Sequence, residues 1–210
     1  MAVPIGMWVI LAVGLALLII AAIVDRRSRL RAEAELSALP QGRRLPRMSQ
    51  DLCAHIDELL DAGALTVGAQ LADDRAASYL SPDATPTAVL EDALVVVCPE
   101  PLNGARLIQA LLIANPDQGD LAIVTTDLDG FALGVALANH LQGSRAVVPV
   151  LATSEDCARI TDTLASTATT TAGIRSGWLP APVWGRAKLL LSDAVSTTVV
   201  PALDKPSIDD

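Results

Sequence analysis

Three cysteines and two histidines in 210 residues leave little material for redox or metal chemistry. Cys53, Cys98 and Cys157 are odd in number and widely spaced. They do not make a disulfide framework and are expected to be small core residues. Cys53-x-His55 has no second ligand pair, and His140 stands apart from it; a tetrahedral site needs more than this, so no metal is expected. A Walker A loop, a Gly-x-Ser-x-Gly elbow and a His-Glu-x-x-His helix are also missing. With them go the usual sequence marks of nucleotide binding, serine hydrolysis and zinc proteolysis, and no cofactor and no enzymatic activity are expected. Basic residues are scarce over most of the chain. Positions 49 to 210 carry 8 of them against 21 acidic side chains, a difference of −13, so this region repels nucleic acid.

The first feature present is a hydrophobic run. VPIGMWVILAVGLALLIIAAIV, from Val3 to Val24, contains no charge, and about 20 such residues in a helix cover the roughly 30 Å hydrocarbon core of a bilayer. Nothing basic precedes it and Asp25-Arg26-Arg27 follows, the reverse of the flanks of a cleaved signal peptide. Residues 1–25 are therefore predicted to be a single transmembrane anchor. Arg26, Arg27, Arg29 and Arg31 follow the span. By the positive-inside bias they leave the N-terminus outside and the remainder on the cytoplasmic side of the inner (plasma) membrane, where they are placed to meet anionic lipid. Residues 26–65 then read as a juxtamembrane helix ending at Pro40, a basic linker (QGRRLPRM) and a short amphipathic helix. That last helix starts at Ser49 or Gln50, gathers Leu52, Ile56, Leu59 and Leu60 on one face, and ends near Gly63.

From about Leu65 the pattern changes. Residues 93–97 (ALVVV), 121–125 (LAIVT), 146–151 (AVVPVL) and 188–191 (KLLL) read as strands. The first three alternate with helices expected at 103–114, 130–142 and 154–165, which is the pattern of an α/β domain. TLASTATTTAG, 163–173, reads as a loop. Two of the helices carry more apolar surface than one core contact uses. At about 100° per residue, Phe131 and Val135 fall on one side of the helix at 130–142, with Leu133, Leu137 and Leu141 largely on the other. In the helix at 103–114, Leu107, Ile108, Leu111 and Leu112 span an arc wider than the ~100° stripe of a surface helix. Either a second layer such as residues 50–62 covers the surplus, or the surplus faces outward to bind something.

Asp127-Leu-Asp129-Gly130 directly follows an apolar strand, as the nucleophile motif of haloacid-dehalogenase-like phosphotransferases does. A phosphatase would also require a downstream acidic metal pair, and none is convincing. A different resemblance accounts for more of the chain. Residues 98–143, CPEPLNGARLIQALLIANPDQGDLAIVTTDLDGFALGVALANHLQG, resemble without a gap the apical domain of the GroEL-type (group I) chaperonins. Tyr79-Leu-Ser-Pro82 and Leu90-Glu-Asp92 lie upstream in matching order, and Gly185-Arg-Ala-Lys188 with Ser196-Thr-Thr-Val-Val200 lie downstream. The similarity spans roughly 66–203, leaving 204–210 as a tail.

The resemblance implies a GroEL apical-domain-like fold of the swivelling β/β/α type, preceded by the single transmembrane helix. It also gives the aspartate pair a structural role, capping the helix after a strand. It implies a polypeptide-binding groove between two helices, made here of Ile108 and Leu111 on the first and Leu133, Leu137, Ala138 and the polar Asn139 on the second, with Tyr79 nearby. Departures from the family pattern limit this. Asp83 and Ala84 stand where the family has aromatics, Ala152-Thr-Ser-Glu-Asp156 replaces a glycine-rich loop, and 210 residues with an anchor leave no room for the ATP-binding equatorial domain. The expected function is thus an ATP-independent polypeptide-binding module, a holdase or assembly factor, facing the cytoplasm. The alternative is a dedicated accessory subunit of one membrane complex with its groove already filled. The expected partners are proteins and anionic lipid, not nucleotide or nucleic acid.

Overall fold

The protein is described from a computed structural model, which covers residues 26–27, 34, 44–61, 63–143 and 145–202. The chain divides into two units, residues 1–39 and 40–210. In the first, Arg26, Arg27 and Ala34 are helical and exposed; the predicted span and the arginines at 29 and 31 lie outside the described residues. Among the described residues no helix is long and apolar enough to cross a membrane.

In the second unit, unbroken runs of valine and leucine mark strands that are covered on both faces. Strands β4 (Pro86–Cys98), β5 (Leu121–Thr125) and β6 (Val147–Leu151) run parallel. Leu94, Val96 and Cys98, with Leu121 and Ile123, share one buried cluster, as the two-residue period of a strand requires. Val95, Val97, Ala122 and Val124 point the other way and are just as buried. A parallel sheet with both faces covered shows no polar alternation for this reason. Helices α2 (Ala105–Ala114) and α3 (Gly130–Gln142) supply the two crossovers.

The remaining strands are antiparallel. β7 (Gly185–Ser192) pairs with β4, β8 (Thr197–Pro201) with β7, β1 (Leu65–Val67) with β8, and β2 (Gln70–Leu71) with β6. β3 (Tyr79–Leu80) adds to the start of β4. The sheet order is β1-β8-β7-β4-β5-β6-β2. Its two edge strands are therefore consecutive in the chain, with Gly68 and Ala69 alone between them. Two residues reach only about 10 Å from Val67 to Gln70, so the sheet must curl until its edges meet. At this corner Leu71 N–H donates to Asp193 O at 2.6 Å and Thr197 Oγ1 to Ala69 O at 2.9 Å, while Ala72 N–H, donating to Pro149 O at 3.0 Å, extends the β2–β6 pairing.

Helix α1 (Gln50–Asp61) rests on β7, with Ile56 buried against Leu189 and Val200. It is thus not the second layer over the crossover helices. α4 (Ser154–Thr163) packs on β4 and β1, and α5 (Thr171–Ser176) packs on α2. The stretch 163–173, expected to be a loop, in fact supplies the start of α5. Thr170 Oγ1 accepts the Gly173 N–H at 3.1 Å, and Gly177, in the left-handed region at φ 72°, ends the helix.

Candidate polypeptide-binding surface

The two helices carried over from the resemblance lie side by side. Their sequences explain how each is set. α3 begins where Asp129 Oδ1 accepts the Ala132 N–H at 2.8 Å, satisfying one of the donors a helix start leaves open. The Asp127 carboxylate accepts the Leu128 N–H at 2.9 Å, and the Asp127 carbonyl accepts from Leu102 N–H at 2.9 Å. The aspartate pair thus holds the turn into α3, as the capping interpretation expects. α2 ends at Asn115, whose side-chain amide donates to Gly119 O at 3.0 Å while its oxygen accepts from Asp117 N–H at 3.2 Å.

The expected groove is not open. Ile108, Leu111 and Leu137 are each 0 % exposed, and a side chain without accessible surface offers no area to a partner. The outward placement of these three is corrected, and the reason is a layer the helical wheel does not see. Ile174 of α5 and Val183, with Leu179 and Trp184 partly buried beside them, join the cluster that takes in Leu107, Ile108, Leu111 and Leu112. The turn Asp74–Ala76, braced by Arg75 on Asp73 at 2.7 Å, packs on α3. Burial of the surplus is therefore real, though its source is neither α1 nor any segment anticipated for it.

Other expected positions remain at the surface. Leu133, Ala138 and Asn139 are half-buried, and the Asn139 amide donates back to Val135 O at 2.8 Å. Tyr79 is half-buried in β3, opposite Thr87 of β4. The outer stripe of α2 consists of Arg106, Gln109 and Ile113, all exposed, and Ile113 is 81 % accessible. The wheel missed this stripe because it follows apolar positions, although Ile113 at i+7 from a cation is itself the anomaly.

Burial pushes the Cys98 thiol up, and burial followed by the neighbouring Cys98 and Asp156 pushes that of Cys157 up to about 11, so neither is a thiolate near neutrality. Among the described residues no three His, Cys, Asp or Glu side chains are grouped to hold a metal ion. Of the helix starts beyond the parallel strands, where a phosphate would sit, that of α2 at Gly104 has no side-chain cap, whereas those of α3 and α4 are occupied. Asp129 fills that of α3, and Thr153 fills that of α4 with Asp156 hydrogen-bonded to it. Thr170 fills that of α5, where Glu100 also accepts the Thr171 N–H at 2.9 Å and its hydroxyl at 2.6 Å. Carboxylates at these positions repel a polyphosphate.

No protein-family model matches the chain and no curated protein is similar to it in sequence. Its fold does match solved structures. The chaperonin gp146 from bacteriophage EL 2 (Pseudomonas aeruginosa), crystallised in the presence of ATP-BeFx, superposes in crystal form II with a TM-score of 0.51 at 12 % identity. That match covers 67 % of this chain and 29 % of the chaperonin. Crystal form I gives a TM-score of 0.50 at 10 % identity, over 68 % and 28 %. The chain therefore spans under a third of the length of the chaperonin it matches, and what the two share is an α/β fold.

Proposed function

We propose that this chain is an ATP-independent polypeptide-binding module, equivalent to the apical part of a chaperonin and held at the cytoplasmic face of the membrane by residues 1–25. The observation that carries this is the chaperonin-like fold combined with the adjacent helices α2 and α3 on the outside of its sheet. Binding uses the side chains that remain accessible, Leu133, Ala138 and Asn139 on α3. Burial of partner surface there yields roughly 25 cal/mol per Å² before ordering costs are subtracted.

The filled groove bears on the choice of partner. General capture of unfolded chains needs a broad apolar face that adapts to many sequences. Ile108, Leu111 and Leu137 are unavailable for that, and the aromatic positions after Tyr79-Leu-Ser-Pro82 are Asp83 and Ala84. These features favour the accessory subunit, with one dedicated protein partner, over the holdase. Mild-detergent co-purification of the full chain, beside its Leu133→Glu variant, tests the proposal. One stoichiometric membrane complex lost in the variant supports the dedicated subunit, and many substoichiometric clients lost in the variant support the holdase. Partners retained by the variant would remove this surface from the function. Purified chain is expected to turn over neither ATP nor phosphomonoesters; magnesium-dependent turnover abolished by Asp127→Asn would replace the proposal with a phosphatase.

A further inference from the structure

Arg44 and Arg47, ahead of α1, are exposed and among the described residues have no ion-pair partner; from residue 49 onward what each cation does can be accounted for individually. Arg75 is held by Asp73 at 2.7 Å, Arg159 by Asp156 at 3.5 Å, Arg186 by Asp117 at 2.6 Å and Lys188 by Asp92 at 2.8 Å. Arg145 keeps one guanidinium nitrogen buried. Two basic side chains of residues 49–202 are left. Arg106 and Arg175 are both exposed, and among the described residues neither has an ion-pair partner.

These two arginines lie on neighbouring elements, since Arg106 is in α2 and Arg175 in α5, which pack together. The chain from α5 to β7 follows α2 from one end to the other. Thr171 is tied to Glu100, ahead of α2, by the two hydrogen bonds at 2.9 and 2.6 Å. Arg186 reaches Asp117, just past the end of α2, at 2.6 Å. Trp178 lies between these ties and is 73 % exposed, and Ile113 stands on the outer stripe of α2 at 81 %. Among the described residues the large apolar side chains this exposed are Ile113, Trp178 and Val195. Two of those three, Ile113 on α2 and Trp178 just past α5, therefore stand on the packed segments that carry Arg106 and Arg175.

We propose that this strip, Arg106, Ile113, Arg175 and Trp178, docks the domain onto the anionic headgroups of the membrane to which the chain is anchored. The inference rests on the anchoring proposed above. Tryptophan and isoleucine beside arginine suit the interface, where an apolar side chain enters the headgroup boundary while the cation stays with the phosphates. Most of the remaining surface is repelled, since residues 49–210 carry an excess of 13 negative charges. Only a face on which cations stand free can approach. An acidic polypeptide would be complementary too, but the apolar run at 3–24 keeps the bilayer continuously at high effective concentration.

The test uses the full chain with vesicles of phosphatidylcholine alone or mixed with phosphatidylglycerol. Flotation with phosphatidylcholine vesicles examines the anchor by itself. The strip is examined through Trp178, whose emission is the difference between the native chain and Trp178→Phe. In anionic vesicles that emission should shift to the blue and resist acrylamide. In phosphatidylcholine vesicles, at high salt, or in the Arg106→Gln/Arg175→Gln double variant, the docked-to-free ratio should fall about tenfold or more. Circular dichroism of the variant should match the native chain, because both side chains are exposed. Equal shielding in both lipids, shielding unaffected by the double variant, or shielding by poly-glutamate but not by vesicles would each overturn the proposal. If the chain fails to float with phosphatidylcholine, the anchor is lost. The strip then stands only if phosphatidylglycerol restores binding in the native chain and not in the double variant.

Discussion

Helices α1 and α2 both lie against the sheet, yet they are held in different ways. α2 buries Leu107, Ile108, Leu111 and Leu112 in a cluster fed by β4, β5, β6, α3 and α5. α1 buries only Ile56 fully, with Leu52, Leu59 and Leu60 partly covered around it. One helix is enclosed from several directions and the other is laid on. α2 is therefore core on every side except the stripe Arg106–Gln109–Ile113, and only that stripe is free to meet a partner. α1 has the features of a locally opening element, few buried apolar contacts on a strand it covers from outside.

The most severe way to break this contrast is Leu137→Glu in α3. An unpaired carboxylate forced into a site that is 0 % exposed should cost several kcal/mol, enough to unfold a domain of ordinary stability. Thermal melting of the variant would read this directly, and a native-like melt would show that the site opens. Ile56→Ala should cost less, about 2 kcal/mol, at the low end for a buried isoleucine because the site can collapse. Hydrogen exchange sharpens the comparison here. Amides of α1 should exchange faster in the variant while those of β4, β5 and β6 keep their protection; equal acceleration everywhere would make α1 part of the same cooperative unit as α2.

Asp129→Ala comes next. Losing the acceptor for Ala132 N–H at 2.8 Å should lower stability by about 1 kcal/mol. Asp127→Ala should lower it by less, since the Asp127 carboxylate accepts from its chain neighbour Leu128 and caps no helix donor. Chemical denaturation midpoints at constant slope would rank the two, and the reverse order would assign the cap to the wrong carboxylate.

These contrasts also explain what was legible in the sequence. The strands at 121–125 and 147–151 and the helices α2 and α3 announce themselves through long apolar runs, and the cap at Asp129 follows from an aspartate placed just before one. The closure of the sheet does not. β1 has three residues and β2 two, too short for any period to emerge, and their pairing partners are distant in the chain. α5 is six residues long within a stretch biased to threonine and alanine, where its only local mark is a threonine cap. That short helix and the turn Leu179–Trp184 join the cluster in which Ile108 and Leu111 are buried. The apolar arc on α2 was read correctly as surplus to one contact and wrongly as outward, because a wheel records the width of an apolar face and not how many segments cover it.

The smallest effect concerns how α5 is held against α2. Glu100 accepts both the N–H and the hydroxyl of Thr171, and these hydrogen bonds hold its carboxyl below the usual glutamate range. A group with a depressed folded pKa contributes stability that is fully present above its unfolded value, about 4.3, and is lost as pH falls through the folded value. Glu100→Gln should therefore melt slightly below the native chain at pH 7, and the gap should close as the pH falls through the folded value and the native carboxylate takes up its proton. The side chain is too exposed for the gap to be large. Its place should be more visible in α5 than in the melt, as faster hydrogen exchange of the Thr171–Ser176 amides at pH 7, a difference from the native chain that narrows as the pH falls. A gap that widens as the pH falls would mean that Glu100 is stabilised as the neutral acid and that the contact with Thr171 does not hold α5 in place.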